Sequence, residues 1–503
     1  MINKVVDRRK DIYIILLVVL VVLQPILELV WFNNGTIPEV AGFTISTWIR
    51  FGLIGVIGLL SLSMMKSNKK NGLLLGYAVI VLVYSMLHLV LCRDFNSFVP
   101  GDFGYNLVSE VFYIIRMLLP IAMIYLVYNS KITFTIMKKT VVWISMFSSL
   151  LVVVTNILKI STGSYSNKTI LGNFFDWFLN GDVYTFNDLA SKGFFYSSIF
   201  STVLVLIYPL IIYFYIKEKK KIYLFLIVIQ GLALYMFGTK ATTFSVVIEL
   251  VLMTLIYLFL CFIKRDMKFS LRNGVALGVV LIIAIFILPY TPSLSRMSFD
   301  EEYKKAIDEE EIEEKEEWSN KKDLEKFFDE NYPYFSVKEE FMLDSYPYKY
   351  DLEFWDELLG ETGPSQRMQN RFIEQKMLER VKEINHDKMD TYFGLGYTRT
   401  SNIYNLERDF LYQFYSMGIL GVAVFLGPYI AFLFLMIGYM LLHFKSKFNL
   451  LHCAIVLGVG LVCCLAYYSG NVMESLGITI VLGFLMGYLL KMDFEKSEDE
   501  NEK

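Results

Sequence analysis

Cysteine and histidine are scarce in this chain, with five and four copies among 503 residues. All five cysteines, Cys92, Cys261, Cys453, Cys463 and Cys464, lie inside apolar blocks. That placement argues against a disulfide framework or a zinc site. His386 stands alone in the polar part of the chain, where a single histidine is more often surface decoration than catalyst. A cleavable leader is not expected, because the apolar run from Ile12 is too long and no small-residue cleavage site follows it. No internal repeat is visible, and no pair of short, broken apolar segments marks the inverted halves of many secondary transporters.

What the chain does contain is apolar surface. Hydrophobic residues make up 55% of it and aromatics 16%. They recur in blocks close to the ~20 residues that cross a hydrocarbon core. The pattern specifies an all-α polytopic membrane protein of about twelve transmembrane helices. Spans are expected near 12–33, 45–65, 73–92, 107–128, 140–160, 195–216, 222–237, 243–263, 273–290, 418–442, 450–468 and 474–490. The formal net charge of -3 hides a partition. Basic residues gather in alternate short loops, at Arg8-Arg9-Lys10, Lys66, Lys69 and Lys70, Lys131, Lys138 and Lys139, Lys217 to Lys221, Lys264 to Lys268, and Lys445 with Lys447. The positive-inside rule then puts both termini in the cytoplasm and the large polar segment outside. The expected organisation is 1–290 for spans one to nine, 291–405 for a large extracytoplasmic helical loop, and 406–503 for an interfacial helix, spans ten to twelve and an acidic cytoplasmic tail.

Inside the polar segment, residues 300–317 are densely acidic and read as a solvated charged helix. Further on, Met368, Phe372, Met377 and Val381 recur at helical spacing, which suggests a helix on the membrane surface with Arg367 and Arg371 on one face. The segment ends in Gly394-Leu395-Gly396, then the triplet Glu407-Arg408-Asp409, then an aromatic stretch with Phe410, Phe414 and Tyr415. Gly418-Ile419-Leu420-Gly421 follows, with glycines that admit another backbone or a ligand at close range. As residues alone, the triplet also suits a helix N-terminus.

This arrangement resembles the O-antigen ligase and polymerase superfamily. Three places carry the resemblance: Gly394 through Gly421, the Gly238-Thr239-Lys240 hairpin at the outer start of span eight, and the arginines Arg367 and Arg371 of the large loop. It implies a C-type glycosyltransferase-like fold with no metal and no other cofactor. It also implies transfer of a glycan from a polyprenyl-diphosphate carrier to an acceptor hydroxyl on the outer face of a bacterial cytoplasmic membrane. The implied partners are the lipid-linked donor, a lipid-linked or other glycan acceptor, membrane lipid and polysaccharide assembly proteins, with no nucleic acid. Lipopolysaccharide ligases of the family carry histidine and asparagine ahead of the G-I-L-G start, whereas Glu407 stands at the histidine position here and Arg408 beside it. A carboxylate can serve as general base, so the change points away from lipopolysaccharide and toward another envelope polymer.

A diphosphate leaving group gains negative charge as the sugar–phosphate bond breaks, and a metal-free site needs cations to meet it. Cations are few on the outer side. The expected substrate ligands are Lys240, Arg367, Arg371, Arg399 and the intramembrane Arg116, and the expected catalytic group is Glu407, Arg408 and Asp409. Plainer readings stand beside these: Lys240 as a headgroup anchor, and Arg367 or Arg371 paired to Glu374 and neighbouring acids. The expected activity is polymerisation of lipid-linked repeat units of a capsule, exopolysaccharide or teichuronic-type polymer. The nearest alternative is a ligase acting on a wall or protein acceptor. A lipid-linked oligosaccharide flippase is the alternative from another class, and it would line a mid-membrane cavity with its charges instead of gathering them outside.

Overall fold

A computed structural model describes residues 2–33, 43–64, 69–180, 183–308, 320–404 and 406–494. Lys66, most of the acidic run, Asn405 and the acidic tail lie outside the described residues. Among those described there is no strand beyond isolated bridges such as Leu29 with Phe195. Among the described residues nine helices are long and apolar enough to cross a membrane, and Leu75–Leu91 and Lys221–Met236 are shorter apolar helices. The chain is an all-α multi-pass membrane protein.

Two expected blocks carry a break in their helices. The first apolar block breaks into Ile2–Val22 and Gln24–Leu27, because Pro25 lacks the N–H that would continue the ladder. At the expected opening of span ten, Gly418 takes φ +66° and ψ 178°, a non-helical angle that separates the helix beginning at Asp409 from the one that follows.

The described chain forms two compact units, one of residues 1–67, 117–296 and 428–503, the other of 68–116 and 297–427. The first is built round Ser201–Glu218, whose residues from Val203 to Ile216 are apolar or aromatic on every side and buried. A helix without a polar face must be central, and this one packs against Leu450–Tyr468, Lys221–Met236, Lys240–Phe262 and Phe134–Ile157. Gly458 lets Leu450–Tyr468 approach the carbonyl of Leu206, where any Cβ would collide. Some polar groups in this core are paired, Ser145 donating to Gln230 Oε1 at 2.5 Å and Gln230 to the carbonyl of Leu204 at 2.7 Å, whereas both carboxylate oxygens of buried Glu249 find no hydrogen-bond partner.

In the second unit the polar segment folds into Lys321–Asn331, Leu352–Glu361 and Asn370–Asn385 around an aromatic core of Phe341, Tyr346 and Trp355. Asn370–Asn385 turns Ile373, Met377, Leu378 and Val381 into that core. Arg380 from the same helix bridges to Asp351 at 2.8 Å, and Asp351 also accepts from the Tyr346 hydroxyl at 2.8 Å. These contacts fix the helix that carries Arg371.

Candidate functional site

The glycines of the two conspicuous motifs meet in the second unit. Gly394 and Gly418 both have positive φ, +82° and +66°, and a Cβ on either would collide with the other segment's backbone, at Ser416 and Met417 or at Tyr392 and Phe393. Two hydrogen bonds close the crossing, Leu395 N–H to Tyr415 O at 2.7 Å and Gly396 N–H to Ser416 O at 3.0 Å. The motif spacing therefore records a backbone crossing that only glycine permits.

Arg399 sits just behind this crossing and is fully buried. Its guanidinium donates to both oxygens of Asp102, at 2.9 and 2.5 Å, to Leu395 O at 2.9 Å and to Cys92 O. Phe95 and Tyr105 lie over its two faces at 4.3 and 4.4 Å. Asp102 is delivered by a loop in which Gly101, Asp102, Phe103 and Gly104 all take positive φ. Beside it, buried Glu110 accepts from the backbone of Tyr397 and Thr398 and from the Thr398 hydroxyl, at 2.7 to 2.9 Å, with His88 Nε2 at 3.4 Å. His88 in turn donates from Nδ1 to Phe393 O at 2.7 Å. Arg399 was expected to meet a diphosphate; the structure turns it inward and engages it with the protein's own acceptors. Glu110, His88 and Asp102 were not singled out in the sequence, although an acid in the first turn of an apolar helix is the signal that could have marked Glu110.

Arg367 is likewise inward. It ends the short helix Pro364–Arg367 and donates to the carbonyls of Leu359 and Thr362 at 2.7 and 2.8 Å. The next helix starts only at Asn370, so the single helical face expected for Arg367 and Arg371 does not exist. The break lies at Met368 and Gln369, between the short helix that Pro364 opens and the one that starts at Asn370.

Arg371 faces outward. Its Nη2 meets Glu407 Oε2 at 2.7 Å, with the two side chains 37% and 56% exposed. The triplet itself is split three ways: Glu407 reaches Arg371, Arg408 occupies the N-cap position half-buried, and Asp409 lies buried in the first turn. An acid there suits the helix N-terminus. Under the ion pair lies Glu374, 2% exposed, whose Oε2 finds no hydrogen-bond partner. Burial, with Glu407 adding to it, pushes its carboxyl up to about 7 against the opposing pull of Lys338 and Arg371. Glu374 entered the sequence reading as a salt-bridge partner and not as a site residue. Its burial could not be read from a polar helix.

The first unit holds a separate basic patch. The segment 161–193 clamps the turn before Lys240–Phe262: Ser191 N–H donates to Met236 O at 2.7 Å and the Tyr165 hydroxyl to Gly238 O at 2.6 Å. Gly238 has φ +66°, and a Cβ there would press on Ala190. Lys240 is the exposed first residue of the helix, with Thr239 as its cap. On the clamping segment Lys192 is 6% exposed, and burial alone lowers its ammonium below the ordinary lysine range. Arg296 stacks on Tyr165 at 4.5 Å. In the second unit, Arg116 lies half-buried on Leu107–Tyr128, ahead of Pro120. Among the described residues, no three His, Cys, Asp or Glu side chains converge as a metal site would require.

These features define a helical multi-pass membrane protein that presents cations and carboxyl groups on folded polar segments. The family model for O-antigen ligase like membrane proteins matches residues 10–496, and the chain belongs to that family. It is thus a membrane enzyme of glycosyl transfer acting on lipid-linked glycans. No curated protein matches the chain.

Proposed function

We propose that the chain polymerises polyprenyl-diphosphate-linked oligosaccharide repeat units at the outer face of a bacterial cytoplasmic membrane. The growing glycan on its carrier is the donor, and a new lipid-linked unit is the acceptor. The observation that carries this reading is the open Arg371–Glu407 pair at the head of Asp409–Gly421, with Glu407 at the position where lipopolysaccharide ligases of the family hold histidine. An exposed ion pair is weak and exchanges readily. A diphosphate can therefore draw Arg371 away and leave Glu407 as a free carboxylate.

In the transfer, the acceptor oxygen forms a bond to the donor anomeric carbon with inversion, and the bond from that carbon to the diphosphate breaks. The electron pair leaves on the diphosphate, where Arg371 stabilises it, and the hydroxyl proton passes to Glu407. Arg408 backs Glu407 at the helix start.

The test is turnover of purified lipid-linked units by protein in lipid, read as a ladder of product lengths. Arg371→Ala should slow the ladder at least about a hundredfold, the scale of losing one charge-stabilising group. Glu407→Gln should slow it about a hundredfold to ten-thousandfold with donor still bound. Normal ladders from both variants would remove the pair from the mechanism, and a single transfer without a ladder would make the enzyme a ligase.

A further inference from the structure

Glu374 has no part in the chemistry so far, yet it lies three residues from Arg371 on one face of Asn370–Asn385. Around it stand Arg371 from its own helix, Glu407 from the segment entering Asp409–Gly421, and Lys338 from the segment before Phe341–Ser345. Tyr404 is close by, its hydroxyl pushed up by burial and by Glu374, Glu340 and Glu407. A buried carboxyl with an unbonded oxygen beside an ionised neighbour is favoured when it keeps its proton.

We propose that Glu374 is a positioning residue whose proton keeps Arg371 exchangeable: with Glu374 neutral the guanidinium is shared with Glu407 and can pass to a diphosphate, whereas an ionised Glu374 holds it back. The inference rests on the diphosphate reading above. Its sign follows from linkage. A proton on Glu374 and an anion on Arg371 favour each other, so anion affinity is full below about 7 and declines as pH rises through that value.

The probe is a short-chain prenyl diphosphate ester of a sugar, in which both phosphates are esterified and neither titrates near neutrality. Calorimetry on the full-length protein in lipid, from about pH 6 to about pH 9, should show affinity falling by up to about tenfold per pH unit above the turning point, with proton uptake on binding. Glu374→Gln should bind and lose the slope. Glu407→Gln should bind more tightly and keep the slope with its turning point moved to lower pH, since Glu407 helps to raise Glu374. A flat wild-type profile, or a slope that survives Glu374→Gln, overturns the proposal. If Glu374→Gln cannot be purified, Arg371→Ala decides, since a pH slope that persists without the guanidinium overturns it equally. A wild-type protein that binds no diphosphate ester at any pH sinks the functional reading itself, and a pH-independent affinity leaves that reading intact while removing the role of Glu374.

Discussion

Arg399 and Arg371 belong to the same compact unit, and both are candidates for meeting a phosphate on sequence grounds, yet their surroundings are opposite. Arg399 is enclosed, bidentate to Asp102, bonded to two carbonyls and covered on both faces by rings. Arg371 meets the Glu407 carboxylate on an open surface, at 2.7 Å. The contrast teaches that a scarce cation marks a site only when its donors can be given up. A guanidinium whose bonds are all made inside the protein costs several kcal/mol to withdraw, whereas an exposed pair is worth about 1 kcal/mol or less.

The sharpest way to break this comparison is Arg399→Ala. It removes the buried partner of Asp102 and strands the carbonyls of Cys92 and Leu395, so a loss of about 3–5 kcal/mol is expected. Thermal unfolding of the purified variant should show a large drop, and expression of folded protein should fall with it. A variant that keeps wild-type stability and loses only turnover would mean that Arg399 does reach substrate.

Next in size is Gly418→Ala. Left-handed backbone costs a non-glycine residue about 1–2 kcal/mol, and the added methyl would also force Tyr392 and Phe393 away from the crossing. Reduced stability together with reduced turnover is expected, because Gly418 lies on the helix that starts beside Glu407. Gly421→Ala tests the same helix at a normal helical angle: its methyl would press on Met417 Cβ and on the buried Tyr84 ring, an overpacking of about 1–3 kcal/mol without the added cost of a positive φ, so a smaller loss is expected. Equal losses in the two variants would show that the backbone angle at Gly418 is unimportant.

The sequence made the class legible because apolar blocks near membrane length and alternating basic loops are properties of composition and order. The glycine motifs were legible as places of close approach, since nothing but backbone proximity or positive φ makes Gly394 and Gly418 necessary. Burial was not legible. Whether Arg367 and Arg399 point in or out depends on tertiary neighbours, Leu359 and Thr362 in one case and Asp102 in the other, and the latter lies far away in sequence. Glu374 escaped for the same reason: a glutamate among Gln375, Lys376 and Glu379 reads as solvated, and only the packing of Asn370–Asn385 shows that this one is covered.

The smallest expected effect is also the most diagnostic, because it concerns stability at the residue that should matter most for turnover. Arg371→Ala removes an ion pair whose members are 37% and 56% exposed, so screening by water and salt leaves about 1 kcal/mol or less to lose. Its loss also removes a cation that opposes the lifting of Glu374, which will keep its proton more firmly and so adds no buried charge. The unfolding transition of Arg371→Ala should therefore lie close to wild type in the same preparation in which its turnover is down a hundredfold or more. A drop as large as that of Arg399→Ala would place Arg371 among the structural arginines and erase the distinction between the two.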